Sequence, residues 1–290
     1  MTLNLSNASA EISRDLVNSA LRSTCPLFLA NEHFENRFDF HASGVLVSFG
    51  GVHVILSAAH VVHGERTRFK ADRLRIPISD SVLSGINGEC IFTRLPDSGI
   101  RNDDAVDLCL IVLDNGSLEM LGNHHEFLTR DQVRMNVDPT MTEMTFAAGY
   151  AADWISVDAR DPRHYRAQPY HLLSRLSTDM TGLDNKPYSL KHNLILPAGA
   201  DTLGEEYRGQ KLESLEGVSG SGLWQRTGFN DALVPKKGLV GIVIEHKRIA
   251  QKIVGTRIDV FIEVLIQTHD ISMPRSSTIR IQDFSIEPFN

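Results

Sequence analysis

Cysteine is scarce in this chain of 290 residues: Cys25, Cys90 and Cys109 are an odd number, widely spaced and without any C-x-x-C pair. Such a set excludes both the disulfide framework of a small secreted domain and a zinc ribbon, and it is expected of reduced thiols in a cytosol. Basic charge is also short. With 29 Lys plus Arg against 36 Asp plus Glu, the formal net charge is −7. No overall positive field gathers phosphates, so nucleic acid is not expected as a partner. No stretch approaches the roughly eighteen consecutive apolar residues that a membrane span requires. Residues 1–14 hold no basic region followed by an apolar block. A soluble, cytoplasmic protein without a membrane partner is the expectation. Repeats of fixed period and low-complexity tracts are missing too, which removes solenoids and propellers.

What is present reads as an ordinary globular chain, 42% hydrophobic and 22% charged. A chain of this length buries roughly three quarters of its unfolded surface, so a sizeable core is available. Apolar residues Ile12, Leu16, Val17 and Leu21 recur at helical spacing behind Ser9, which predicts a short N-terminal helix capped by that serine. From Cys25 the texture changes to short β-rich runs separated by turns: 27–30, 44–49, 52–57, 89–94 and 107–113. A polar stretch over 114–138 carries His124 and His125, and a second β-rich series follows at 144–148, 155–157, 170–177, 194–196, 222–225, 238–245 and 253–256. Residues 258–268 suit a closing helix. The expected plan is an N-terminal extension over 1–24, a first β-unit over about 25–115, a linker over about 116–140, a second β-unit over about 141–270, and a tail over 271–290.

Three short segments carry chemistry, in the order His, Asp, Ser: Leu56-Ser57-Ala58-Ala59-His60, Ala105-Val106-Asp107-Leu108 and Gly217-Val218-Ser219-Gly220-Ser221-Gly222. Each candidate sits at the edge of an apolar run, where a folded sheet holds it rigidly. A serine hydroxyl is too weak an acid to attack an amide at neutral pH unless a base near pKa 6.5 takes its proton. Histidine is that base, and a buried carboxylate fixes its tautomer and stabilises the imidazolium. Glycines around a serine let consecutive backbone N–H groups converge on a developing oxyanion. The residues therefore point to a serine peptidase with His60, Asp107 and Ser219 as its catalytic set.

Leu56-Ser57-Ala58-Ala59-His60 and Gly217-x-Ser219-Gly220-Ser221 resemble the histidine and serine signatures of trypsin-like serine peptidases, and Asp107-Leu108-Cys109-Leu110 resembles that family's aspartate strand. The resemblance runs from about residue 27 to 265, and is nearest in flavour to the disulfide-free bacterial HtrA-like and glutamyl-endopeptidase-like branch. It implies an all-β fold of two six-stranded antiparallel barrels with the site in the cleft between them. It also implies an oxyanion hole from the amides of Gly217 and Ser219, peptide or protein substrates, and no cofactor. Val218 stands where secreted members place an acidic residue before the nucleophile, so activation by a new N-terminus is not expected, and ordering of the loop by substrate or an activating partner protein is. By the same analogy Glu213 lies near the floor of the specificity pocket, where it would favour Arg or Lys; a solvated loop with Glu205, Glu206 and Glu216 is the competing reading.

Rival residues stand beside each candidate. Asp103 and Asp104 precede the same apolar strand as Asp107, which is preferred because it abuts Leu108. Ser221 shares the turn with Ser219, but only Ser219 has glycine two before and one after. His60 and His63 at i, i+3 lack a third ligand, so no metal is expected, and His53 and His63 read as surface residues. Cys109, Trp154 and Trp224 read as core. The alternative from another class is a catalytically idle barrel protein that binds a peptide along a strand edge.

Overall fold

The computed structural model describes residues 14–31, 38–63, 71–79, 82–157, 165–199, 215–229, 235–276, 279, 281 and 284–288. A helix over 14–21 (α1) opens the described chain; Ser9 and Ile12, expected to begin it, lie outside the described residues. Seven strands follow: β1 (Thr24–Ala30), β2 (Phe38–Phe49), β3 (Val52–Ala58), β4 (Leu74–Ser79), β5 (Val82–Gly85), β6 (Gly88–Thr93) and β7 (Leu108–Leu113), with a one-turn helix α2 (Ala59–Val62) after β3. Helix α3 (Asn115–Gly122) then leads to the second series: β8 (Met144–Val157), β9 (Tyr165–Arg175), β10 (Asn193–Pro197), β11 (Gly222–Phe229), β12 (Pro235–Lys247) and β13 (Lys252–Arg257). Helix α4 (Ile258–His269) and a last strand, β14 (Phe284–Pro288), complete it.

The strands form two antiparallel sheets, ordered β14-β6-β7-β3-β2-β1-β4-β5 and β10-β13-β12-β11-β8-β9. The second has the six strands expected; the first has eight. Two features raise the count. The run from 82 to 93 breaks at Ile86–Asn87 into β5, paired with β4, and β6, paired with β7, so the chain passing from β5 to β6 brings the two ends of the sheet together. The C-terminal residues, expected as a tail, return to add β14 along β6, from Phe284↔Thr93 to Pro288↔Glu89. Within the stretch read as a polar linker, Asp114 caps α3 by accepting the Ser117 N–H at 2.8 Å, which satisfies one of the donors a helix start leaves free.

Each sheet encloses its own apolar core. Alternate residues of β2, β3 and β7, such as Leu46, Ile55 and Ile111, fill the first, and Leu172, Leu194, Leu223 and Val243 fill the second. The opposite faces meet in a third cluster, where Val47, Leu56 and Leu110 pack with Phe146, Trp224 and Ile242 under α4. Burying a side chain of that size contributes about 1.5–3 kcal/mol, so this shared core docks the two halves firmly. Cys25, Cys90 and Cys109 are all free and buried, and burial pushes the Cys25 thiol up to about 12. No described helix is long and apolar enough to cross a membrane.

Candidate active site

The apolar run of β3 ends in two small residues, Ala58 and Ala59, both fully buried. Their size lets the chain turn tightly into α2 against β7: Ala58 pairs with Leu108, and the Ala59 N–H donates to the Asp107 carbonyl at 2.9 Å. His60 thereby faces Asp107 across the start of β7. Its backbone N–H donates to Asp107 Oδ1 at 2.9 Å and its Nδ1 lies 2.5 Å from Oδ2. Both carboxylate oxygens are spent on one residue, which fixes the imidazole plane and leaves Nε2 as the free ring nitrogen. Asp107 is 4% exposed, whereas the His60 side chain is 32% exposed. Burial pulls the His60 pKa down, but the charge and hydrogen bond of Asp107 outweigh it, so the imidazole titrates above its ordinary 6.5.

The rival carboxylates have other work. Asp104 is buried, pairs with Arg101 Nη1 at 3.0 Å, accepts from the Thr93 hydroxyl, and takes the Val106 N–H at 2.9 Å. Asp103 lies in a single 3-10 turn, Arg101–Asp103, upstream. Asp107 itself has φ 45°, a left-handed conformation that costs most L-residues about 1–2 kcal/mol and that Asp tolerates better than most.

Ser219 lies in the loop before β11 and lines the same cavity, of about 390 Å³, as His60, Asp107 and Gly217. Its hydroxyl donates to the Ile244 carbonyl at 3.2 Å; among the described residues no hydrogen bond joins it to His60. The loop is anchored across the barrels: the Ser43 N–H on β2 donates to the Ser219 carbonyl at 2.8 Å, and the Gly220 N–H to the Val243 carbonyl at 2.8 Å. Gly220 has φ +84°, and a Cβ there would sit 1.7 Å from the Ser43 carbonyl oxygen and 2.5 Å from Ser57 Oγ. Only glycine permits that approach. Ser57 in turn donates to the Ser43 carbonyl at 2.9 Å, so the serine of the histidine segment and the glycine after Ser219 converge on one peptide of β2.

Gly217 has φ +78° and packs against the Phe40 ring. The N–H groups of Gly217 and Ser219, expected to form the oxyanion hole, have no hydrogen-bond partner among the described residues, whereas Val218 and Ser221 donate to Leu215 and Val218 carbonyls. Two free amides therefore border Ser219. Ser221, the rival nucleophile, is fully buried. Glu213 lies outside the described residues, as do Glu205 and Glu206.

Several site residues had no signal in the sequence. The wall facing Asp107 is a charged cluster in which Glu245 accepts from Lys186 (2.8 Å), Lys247 (2.5 Å) and the Tyr188 hydroxyl. Burial pushes the Glu245 carboxyl up, but these hydrogen bonds outweigh it and hold it below the usual carboxylate range. Phe40, Ser43, Lys186 and Tyr188 lie far from the three segments along the chain, and no spacing marks them. His63, read as a surface residue, packs against the Phe92 ring at 5.4 Å. Among the described residues no group of three or more His, Cys, Asp or Glu could hold a metal.

No protein family profile matches the chain, and no curated protein matches its sequence. Among solved structures it is similar to the VesB protease of Vibrio cholerae, with a TM-score of 0.50 and 13% identity over 86% of this chain and 64% of that one. It is also similar to a thermostable serine protease from an extremophilic microorganism (TM-score 0.48, 13% identity, 81% and 91% covered). A third is a serine endoprotease from Yersinia pestis (TM-score 0.47, 15% identity, 88% and 65% covered). At 13% identity the likeness to the VesB protease speaks to fold alone. Two antiparallel sheets closed around separate cores, with a cleft between them, give this chain the two-barrel chymotrypsin fold.

Proposed function

We propose that this protein is a serine endopeptidase of the disulfide-free, HtrA-like or glutamyl-endopeptidase-like kind, acting on peptide or protein substrates in the cytoplasm. The observation that carries this reading is the commitment of both Asp107 oxygens to His60 in the pocket that Ser219 lines. Structural histidines do not need that arrangement; a general base does.

In this reading the Ser219 hydroxyl rotates from the Ile244 carbonyl towards His60 Nε2, a tightening expected when substrate arrives. Ser219 Oγ attacks the scissile carbonyl carbon as His60 takes the hydroxyl proton, and Asp107 holds the resulting imidazolium through Nδ1–H. The carbonyl oxygen becomes an oxyanion and accepts from the Gly217 and Ser219 amides. Collapse of the tetrahedral species breaks the C–N bond, and His60 hands its proton to the departing amine. Water, deprotonated by His60, then hydrolyses the acyl ester and restores Ser219. Among the described residues the two amides have no hydrogen-bond partner, which supports basal turnover without help; an activating partner would raise it.

A fluorophosphonate probe tests the assignment, because it phosphonylates only an activated serine. Labelling of the wild-type protein, its loss in Ser219→Ala and its persistence in Ser221→Ala are the expected results. A folded wild-type protein that stays unlabelled between pH 7 and 9 would overturn the proposal in favour of an idle, peptide-binding barrel.

A further inference from the structure

The left-handed turn at Asp107 is held at five of the six backbone groups from the Ala105 carbonyl to the Leu108 N–H, and the partners come from both barrels. From the first barrel, the Asp104 carboxylate takes the Val106 N–H at 2.9 Å, Thr93 Oγ takes the Leu108 N–H at 3.2 Å, and the Asp107 carbonyl accepts from Ala59. The remaining two groups are carbonyls on the peptides leading into Asp107. The Ala105 carbonyl accepts from Asn193 Nδ2 at 2.7 Å, and the Val106 carbonyl accepts from the Thr256 hydroxyl. Asn193 begins β10 and Thr256 lies on β13, two neighbouring strands of the second barrel paired at Asn193↔Thr256.

These two side chains are buried, 1% and 0% exposed. Asn193 is itself fixed, since its Oδ1 accepts the Ser189 N–H at 3.0 Å. A non-glycine residue keeps a positive φ only where its surroundings over-determine it. At Asp107 the first barrel supplies three of the constraints and the second supplies the other two.

We infer that Asn193 and Thr256 are positioning residues: from the second barrel they hold the Ala105 and Val106 carbonyls so that Asp107 presents both oxygens to His60. The acid of the pair is then oriented only when the barrels are docked. The kinetic side of this inference rests on the proposed peptidase reading; the geometric side does not. The charged groups facing His60 are Asp107 on its own barrel and Lys186 and Glu245 on the other, and neither Asn193 nor Thr256 adds a charge.

The experiment follows the His60 ring by NMR through a pH titration of the full chain, beside the fluorophosphonate labelling rate, in Thr256→Val, Thr256→Ser and Asn193→Ala. With the clamp loosened, Asp107 shifts and the His60 pKa falls back towards its ordinary value in the Val and Ala variants. The labelling rate falls roughly tenfold in each, the change expected for loss of one hydrogen bond of about 1.4 kcal/mol. Thr256→Ser, which keeps the hydroxyl, restores most of both. Satisfying a buried carbonyl for stability alone would lower the urea midpoint and leave the His60 titration unmoved, and that result overturns the inference. Should the Val variant not fold, Thr256→Ala introduces no new atoms and carries the same comparison. A wild-type protein that resists labelling while the His60 titration responds as expected defeats the peptidase reading and leaves the clamp standing.

Discussion

Replacing Gly217 and, separately, Gly220 by alanine perturbs one loop in two different ways. At Gly220 the new methyl would lie 1.7 Å from the Ser43 carbonyl oxygen, a backbone atom in the middle of β2 that cannot swing aside. Overpacking of that kind costs about 1–3 kcal/mol, and the left-handed φ adds about 1–2 kcal/mol. The expected loss is about 2–5 kcal/mol, a large share of the 5–15 kcal/mol of a typical domain. At Gly217 the methyl would meet the edge of the Phe40 ring at 2.4 Å, and a ring can shift. Stability should fall there by only about 1–2 kcal/mol, from the backbone conformation. On the proposed peptidase reading function should suffer more, because an alanine escaping positive φ turns its N–H out of the proposed oxyanion hole, and loss of one such donor costs about 10²–10³ in rate. Urea midpoints and fluorophosphonate labelling rates of the two variants separate these effects. Gly217→Ala combined with Phe40→Ala should remain slow, since removing the ring leaves the φ strain in place. Near wild-type labelling of Gly217→Ala, together with an unchanged midpoint for Gly220→Ala, would refute the account.

Two further predictions follow from charge. His60 titrates above 6.5 and must be neutral to act as base, so labelling should lose half its rate at a pH above 6.5 as the solution is acidified. Stability runs the other way: the charged His60–Asp107 pair contributes fully below the unfolded pKa of 6.5 and is lost as pH rises through the higher folded value. Paired pH series of labelling rate and urea midpoint should show activity rising where stability falls; an acid limb centred at or below 6.5 contradicts the assignment. Asp104→Asn should destabilise the fold by about 3–5 kcal/mol, because Arg101, 1% exposed, is left as an uncompensated buried cation. A urea-derived loss under about 1 kcal/mol would show that Arg101 finds another partner.

The alternation of apolar residues and the turn-forming residues between them made most strands legible. The runs at 44–49, 52–57 and 107–113, the last of which starts one residue later as a strand, became the centre of the first sheet because each buries one face in a barrel core and the other in the shared core, so local pattern and tertiary burial agree. β4 and β5 were not legible: Pro77 interrupts one, and the other is four residues ending in glycine. β14 was hidden for a different reason, since Phe284–Pro288 is held by pairing with β6, a partner far away in the chain. At the site, His60 and Ser219 stood out because the small residues beside them have a local steric purpose, and Asp107 because it abuts the apolar run from Leu108. Asn193, Thr256 and Ser43 make contacts that only the docked barrels create, and Glu245 meets Lys186 and Tyr188 some sixty residues away in its own barrel; their neighbours in sequence bear no trace of either.

The return of the C-terminus to the first barrel has a consequence for biosynthesis. β6 is translated about 190 residues before β14, and at about 5–20 residues per second its outer edge waits on the order of ten to forty seconds for that strand. Through this interval the nascent chain holds His60 and Asp107 without the strand that pairs with β6, and the second-barrel partners of the aspartate turn, Asn193 and Thr256, are made only in its second half. Until that strand arrives, the backbone groups along the outer edge of β6 stand unpaired, a template on which another chain could add.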